Sequence, residues 1–177
     1  MEEDALPPSQ KAMLELFQKH VDAELKKDLE TTMATMSDAP HLINVPVPMG
    51  GVGQAGVRAF YKNHLIGQFF PPDMEMTLLS RTIGTKRIVE ELVIRFTHSI
   101  AMDWFLPKTA PTGRKIEAVF VVIVGFQGGK ISYEHIHWDH AAVLVQAGLL
   151  DPQGLPLRAD GAKRLLAAVQ PAPAARE

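Results

Sequence analysis

The chain of 177 residues has no cysteine, which removes disulfides, thiolate nucleophiles and cysteine metal sites and fits a reducing compartment. It also lacks charge of one sign: 18 Lys and Arg stand against 20 Asp and Glu, a formal net charge of -2 with pI near 6.4. Nucleic acid and anionic membrane surfaces are therefore disfavoured partners. No apolar run approaches bilayer-spanning length and the start, Met1-Glu2-Glu3-Asp4, is acidic, so a soluble cytoplasmic protein is expected. A G-x-S-x-G elbow is missing, which argues against Ser-His-Asp catalysis. The run Gly50-Gly51-Val52-Gly53 is not followed by the lysine or ribose-binding acid of a nucleotide fingerprint. No cofactor is expected. What is present is 46% hydrophobic residues, enough for one domain, residues 1–170, with its own core. The Pro- and Ala-rich tail, 171–177, is expected to be disordered.

Helical periodicity comes first. Ser9 stands where an N-cap would for Lys11 to Leu29, whose Met13, Leu14, Phe17, Val21 and Leu25 form one apolar stripe. Helical composition continues through Glu30 to Met36 until Asp38-Ala39-Pro40 breaks it, and His41 to Val45 reads as a short strand. Pro46, Pro48 and the following glycines read as a loop, and Gln54 to Ile66 as a second amphipathic helix burying Val57, Phe60, Tyr61 and Leu65. From Asp73 the period becomes strand-like: Met74 to Ile83, a Gly84-Thr85 turn, Arg87 to Ile100, and Lys115 to Gln127. Gly128-Gly129 then signals an antiparallel hairpin into Lys130–Asp139. Met102 to Pro107 and Pro111 to Gly113 form a loop with an apolar tip. Helices followed by an antiparallel meander give an α+β fold, a curved sheet wrapped around the N-terminal helices as an open cone.

The stretch Lys130-Ile-Ser-Tyr-Glu-His-Ile-His-Trp-Asp139 concentrates the ionisable groups. Strand alternation sets Ile131, Tyr133, His135, His137 and Asp139 on one face and Ser132, Glu134, Ile136 and Trp138 on the other. Two imidazoles, a phenol and a carboxylate in register suit the lining of a polar cavity; a half-exposed hydrogen-bonding ladder is the plainer alternative. Trp138 would then be core and Glu134 a partner of Arg95 or Arg87, unless a bulge reverses the faces.

Several short motifs carry a resemblance: Thr97-His98, Pro111-Thr-Gly-Arg114, Gly129-Lys-Ile131, and Asp139 followed by Val143-Leu-Val-Gln146 and Gly148-Leu-Leu150. Through these, from roughly Gln10 to Leu150, the chain resembles the SnoaL-like polyketide cyclase branch of the nuclear transport factor two-like superfamily, the cone-shaped fold also used by ketosteroid isomerase, scytalone dehydratase and limonene epoxide hydrolase. A subgroup with hydrolase-type names is similar through Met102-Asp-Trp104, Glu134-His-Ile136 and Trp138-Asp139. The resemblance implies that Asp139 is the general acid/base of the family's ring closure, and His98 its strand-end histidine. The alternative for Asp139 is an N-cap of Ala141–Val145, and for His98 a structural hydrogen bond. His135 and His137 depart from the cyclase pattern, in which a tryptophan is common near His135; they are candidate proton partners of Asp139.

The resulting expectation is a cofactor-independent cyclase, isomerase or dehydratase acting on a small hydrophobic carbonyl compound, with Asp139, His137 and His135 catalytic. Tyr133, His98, Trp104 and Asp103 would bind substrate, the last two at the mouth of the cone. Hydrolysis of an epoxide or lactone, or ligand binding without catalysis, are the alternatives. His135 and His137 with His98 or Asp139 could supply ligands to zinc or iron, but no metal is expected. A homodimer is expected through the outer face of the sheet, because Val119 to Val124 is apolar on both faces.

Overall fold

The computed structural model describes residues 6–65 and 69–169; the expected disordered tail lies outside them. Helix α1 (Pro8–Leu25) starts with proline in its first turn after Pro7 at the N-cap, where the absent N–H costs nothing. Ser9 is thus inside the helix and does not cap it. The expected single helix to Leu29 is two: α1 ends at Leu25, Lys27 takes φ 60, and Asp28 caps α2 (Leu29–Thr35) by accepting from the Thr31 amide. An aspartate side chain that satisfies a free first-turn amide is a strong helix start.

Strand β1 (Met36–Asn44) begins five residues earlier than the break at Pro40 suggests. Its register against β6 jumps from Met36↔Ile131 to His41↔Tyr133, so Pro40 lies in a bulged stretch where no ladder bond is asked of it. The glycine run read as a loop is instead strand β2 (Met49–Val52), paired antiparallel with β1. A Cβ on Gly50 would sit 2.1 Å from the Leu42 carbonyl oxygen, and one on Gly51 2.3 Å from that of Gly56. Glycine here permits close backbone approach, not phosphate binding. Helix α3 (Gly53–Phe60) follows and continues into a π turn, Tyr61–Leu65.

The remaining strands are β3 (Glu75–Ile83), β4 (Arg87–Thr97), β5 (Lys115–Gln127) and β6 (Lys130–Trp138), followed by α4 (His140–Gln146) and α5 (Gly161–Val169). They complete an open, curved sheet in the order β2-β1-β6-β5-β4-β3. The meander β3 to β6 is antiparallel as expected, but β1 joins β6 in parallel. Register shifts at Leu78/Ser80 and Gly125/Phe126 are bulges, which bend strands and deepen twist.

Three rows of side chains cross the concave face: Leu42, Glu134, Val124 and Ile88; Asn44, Ile136, Val122 and Glu90; and Trp138, Phe120 and Leu92. Helix α1 closes over them with buried Leu14, Phe17 and His20, α3 with Val57 and Phe60, and the π turn with Tyr61. The loop between β4 and β5 plugs one end with buried Met102, Trp104, Phe105 and Leu106. Its rings meet the core face: Phe105 lies 5.2 Å from Trp138 and 5.9 Å from Phe120 between centroids, separations at which aromatic pairs attract. Outside the sheet, α5 covers Val93 with Ala162 and Leu166, against Val119. No described helix is long and apolar enough to cross a membrane.

Candidate active site

Strand alternation in β6 holds from Tyr133 to Trp138, but Glu134, Ile136 and Trp138 turn inward while Tyr133, His135 and His137 take the outer face, the side on which α5 packs. The reason is packing. Turning β6 the other way would expose the indole of Trp138, stacked 5.2 Å from Phe120, and strand period 2 moves the whole set together. Ile131, expected on the face of Tyr133, is instead fully buried in the core, because the register shifts between the two. On the outer face Tyr133 stacks on His41 and His135 at 5.2 and 4.6 Å, and the two imidazole Nε2 atoms lie 2.9 Å apart. Burial, then the neighbouring His41 and His137, push His135 below the usual histidine range. These rings do not line the cone, contrary to expectation.

Asp139 is exposed at the N-cap of α4, its Oδ1 accepting from the Ala142 amide at 3.0 Å. It does not enter the cavity either. His98 is fully buried; the Thr112 amide donates to its Nδ1 at 3.2 Å, and its own backbone bonds Gly113 and Arg114. That pattern staples the β4–β5 loop, and burial lowers the ring's pKa. Asp103 accepts from the Lys108 amide within the same loop. Of the expected binding residues, Trp104 does line the cavity, with Nε1 donating to the Phe69 carbonyl at 3.0 Å.

The cavity inside the cone has a volume of about 110 Å³. Its wall is apolar, from Phe17, Phe60, Leu92, Phe120 and their neighbours, except at Glu24, Glu134, Asn44 and Glu90. Behind Glu24 and Glu134 sits His20, with 0% exposure. The Thr35 hydroxyl donates to the Thr32 carbonyl at 2.6 Å, so at 2.6 Å from His20 Nδ1 it can only accept. The Nδ1 proton is thereby assigned, and Nε2 faces Glu134 Oε1 at 3.1 Å, Glu24 Oε1 at 3.2 Å and the Tyr61 hydroxyl at 3.1 Å. Tyr61 in turn donates to Glu134 Oε2 at 3.2 Å.

Burial alone would lower the His20 pKa, but Glu134 and then Glu24 overcome it and raise it to about 10. Opposite charges a few ångströms away in a medium of low dielectric outweigh lost hydration. The same burial, with Glu134 beside it, holds Tyr61 well above the usual phenol range, so Tyr61 stays a neutral donor. The cluster thus favours the proton-bound form of His20, set between the side chains of Glu134 and Glu24. Across the wall Glu90 is paired with Arg81 at 2.6 Å. One ligand atom each from His20, Glu24 and Glu134 lies within 4.8 Å of the others, the one such group among the described residues that could hold a metal ion. The grouping of His135, His137 and His98 or Asp139 is not assembled.

Sequence reasoning missed His20, Glu24, Glu90 and Asn44 and gave Glu134 the wrong partner, since Arg95 pairs with Glu117. A signal existed in part: His20 and Glu24 stand at i, i+4 on one helical face. A larger open groove of about 750 Å³ between the start of α1 and the two hairpins, lined by Met13, Arg87, Gly128 and Tyr133, holds no buried ionisable group.

No family profile matches the chain, and no curated protein does. Solved structures do. A proposed SnoaL-like polyketide cyclase from Jannaschia sp. superposes with TM-score 0.65 at 15% identity, covering 82% of this chain and 98% of that one. TsrD from Streptomyces laurentii gives 0.60 at 16% identity, covering 82% and 99%. AclR, a proposed hydroxylase from Streptomyces galilaeus, gives 0.56 at 20% identity, covering 86% and 90%. At such identities the likeness concerns the fold, and reaction does not follow from fold. The chain therefore has the cone-shaped α+β fold of the SnoaL-like and nuclear transport factor two-like proteins.

Proposed function

We propose that this chain is a cofactor-independent acid/base enzyme of cyclase, isomerase or dehydratase type, acting on a small hydrophobic carbonyl compound held inside the cone. The observation that carries this is the buried His20–Glu24–Glu134–Tyr61 cluster opening its carboxylates onto an apolar cavity. Glu134 is the group that takes a proton alpha to the carbonyl. His20, held by Thr35 on one side, faces Glu134 and Glu24 on the other and offers them a compensating positive partner away from water. Tyr61 fixes the second oxygen of Glu134. The oxygen that becomes negative as the proton leaves needs a donor, and Asn44 offers an amide N–H from the same wall. Its row lies one step along from that of Glu134, about 7 Å away by strand rise.

The test uses deuterium exchange. Cyclopentanone in D₂O should lose its alpha protons faster with the protein than without it, and Glu134→Gln should remove about a hundred- to ten-thousand-fold of that acceleration. Binding without any acceleration would leave a noncatalytic binding module. We also assign a homodimer contact to the outer face, where Ile43, Val121 and Ile123 stay partly exposed beside His135; a monomer in sedimentation at micromolar concentration would reject it.

A further inference from the structure

Asn44 is 1% exposed and lines the cavity, yet neither its Oδ1 nor its Nδ2 finds a hydrogen-bond partner among the described residues. An unpaired buried amide destabilises a fold, because both groups surrender water and gain nothing in return. Packing does not demand it. Asn44 lies in a row with Ile136 and Val122 and follows Leu42 on the same face of β1, so an aliphatic residue would complete the wall. Retaining both a donor and an acceptor on a residue of the cavity wall suits a ligand that supplies the complementary pair.

We infer that the cavity recognises a neutral cyclic compound carrying an N–H and a C=O side by side, a lactam or cyclic imide, paired edge to edge with the Asn44 carboxamide. A primary amide presents its oxygen and its syn N–H in one plane, and a ring amide held cis presents the matching acceptor and donor, so both orphan groups are satisfied at once. A ketone or an ether satisfies only one. A carboxylate also fails: it has no proton to give Oδ1, and the wall carries Glu24, Glu90 and Glu134 against the two cations His20 and Arg81. Size restricts the ligand further. At about 110 Å³ the cavity is smaller than the roughly 150 Å³ that accepts benzene, so it admits no more than a single small ring. The inference rests on the cavity being the substrate site proposed above, but not on Glu134 moving a proton.

The experiment titrates three ligands of one size, 2-pyrrolidinone, cyclopentanone and methylcyclopentane, into the ¹⁵N-labelled full chain and follows the Asn44 side-chain amide. The lactam should shift that amide and bind more tightly than the ketone. Asn44→Leu should weaken lactam binding about tenfold or more, by loss of a paired contact, leave methylcyclopentane within about threefold, and raise the melting temperature of the empty protein. Asn44→Ala should show the same loss of lactam preference, and the wild-type ranking stands as the test if neither variant folds. A lactam that binds no better than the ketone, an Asn44→Leu variant with unchanged lactam affinity, or a failure of all three probes to bind overturns the inference. Glu134→Gln separates it from the catalytic reading: lost lactam preference in the Asn44 variants with no effect of Glu134→Gln on exchange would sink proton transfer and leave recognition standing.

Discussion

Glu134→Gln removes the carboxylate that does most to raise the His20 pKa against burial. Gln keeps the shape but has one acceptor oxygen where Glu134 uses two, so it can accept from the Tyr61 hydroxyl or from the His20 Nε2–H, and it removes one of two carboxylates about His20. The lost attraction acts across 3.1 Å between groups whose side chains are 0% and 5% exposed, so it is hardly screened by water. Breaking a buried pair outright costs about 3–5 kcal/mol when the remaining charge is left alone. Here Glu24 stays 3.2 Å from the imidazole, and a loss of about 2–3 kcal/mol is expected near neutral pH. At 1.36 kcal/mol per pH unit, the same interaction lowers the His20 midpoint from about 10 by about two pH units. The sign follows from linkage. His20 binds its proton more tightly folded than unfolded, so its contribution is complete below about pH 6.5 and is lost as pH rises through 10. The difference between wild type and Glu134→Gln should therefore be largest at or below pH 6.5 and close towards pH 10, where neutral His20 leaves two carboxylates repelling each other. Urea denaturation at three pH values, with histidine side-chain NMR for the midpoint, reads both. A stability difference independent of pH, or a His20 midpoint unmoved by the substitution, would refute the cluster as described.

Asp139→Asn should cost about 1 kcal/mol or less, since Asn also caps the Ala142 amide, and should leave the alpha-proton exchange rate unchanged; a hundredfold loss would restore Asp139 to catalysis. Gly50→Ala forces a Cβ to 2.1 Å from the Leu42 carbonyl oxygen, backbone that cannot yield, and should destabilise by about 3 kcal/mol or more in thermal denaturation. Gly125→Ala meets only the far edge of the Tyr133 ring, at 2.0 Å; Tyr133 should swing off His41 and His135 at about 1–2 kcal/mol, visible as changed histidine ring shifts. His135 should titrate below the usual 6.5 by NMR, and His41→Gln should raise its midpoint by removing a like charge.

By itself the sequence determined what local periodicity and turn chemistry can determine. The strand-like runs after Asp73 became β3 to β6, and Gly128 and Gly129, with φ 59 and 73, made the hairpin expected of them. The amphipathic run into Tyr61 buried Val57 and Phe60. Alternation in β6 established two faces, yet both carry apolar and polar residues, so nothing local said which turns inward. Only tertiary packing of Phe120, Phe105 and Trp104 against Trp138 decided that, and with it that Glu134 rather than His135 meets the cavity. The site itself depends on distant partners: His20 and Glu134 come from opposite ends of the chain, joined because α1 crosses the concave face of a sheet whose β6 pairs with β1. Spacing in sequence carries no information about such a pair, since a single buried histidine on a helix reads as core until the carboxylates that charge it are brought alongside.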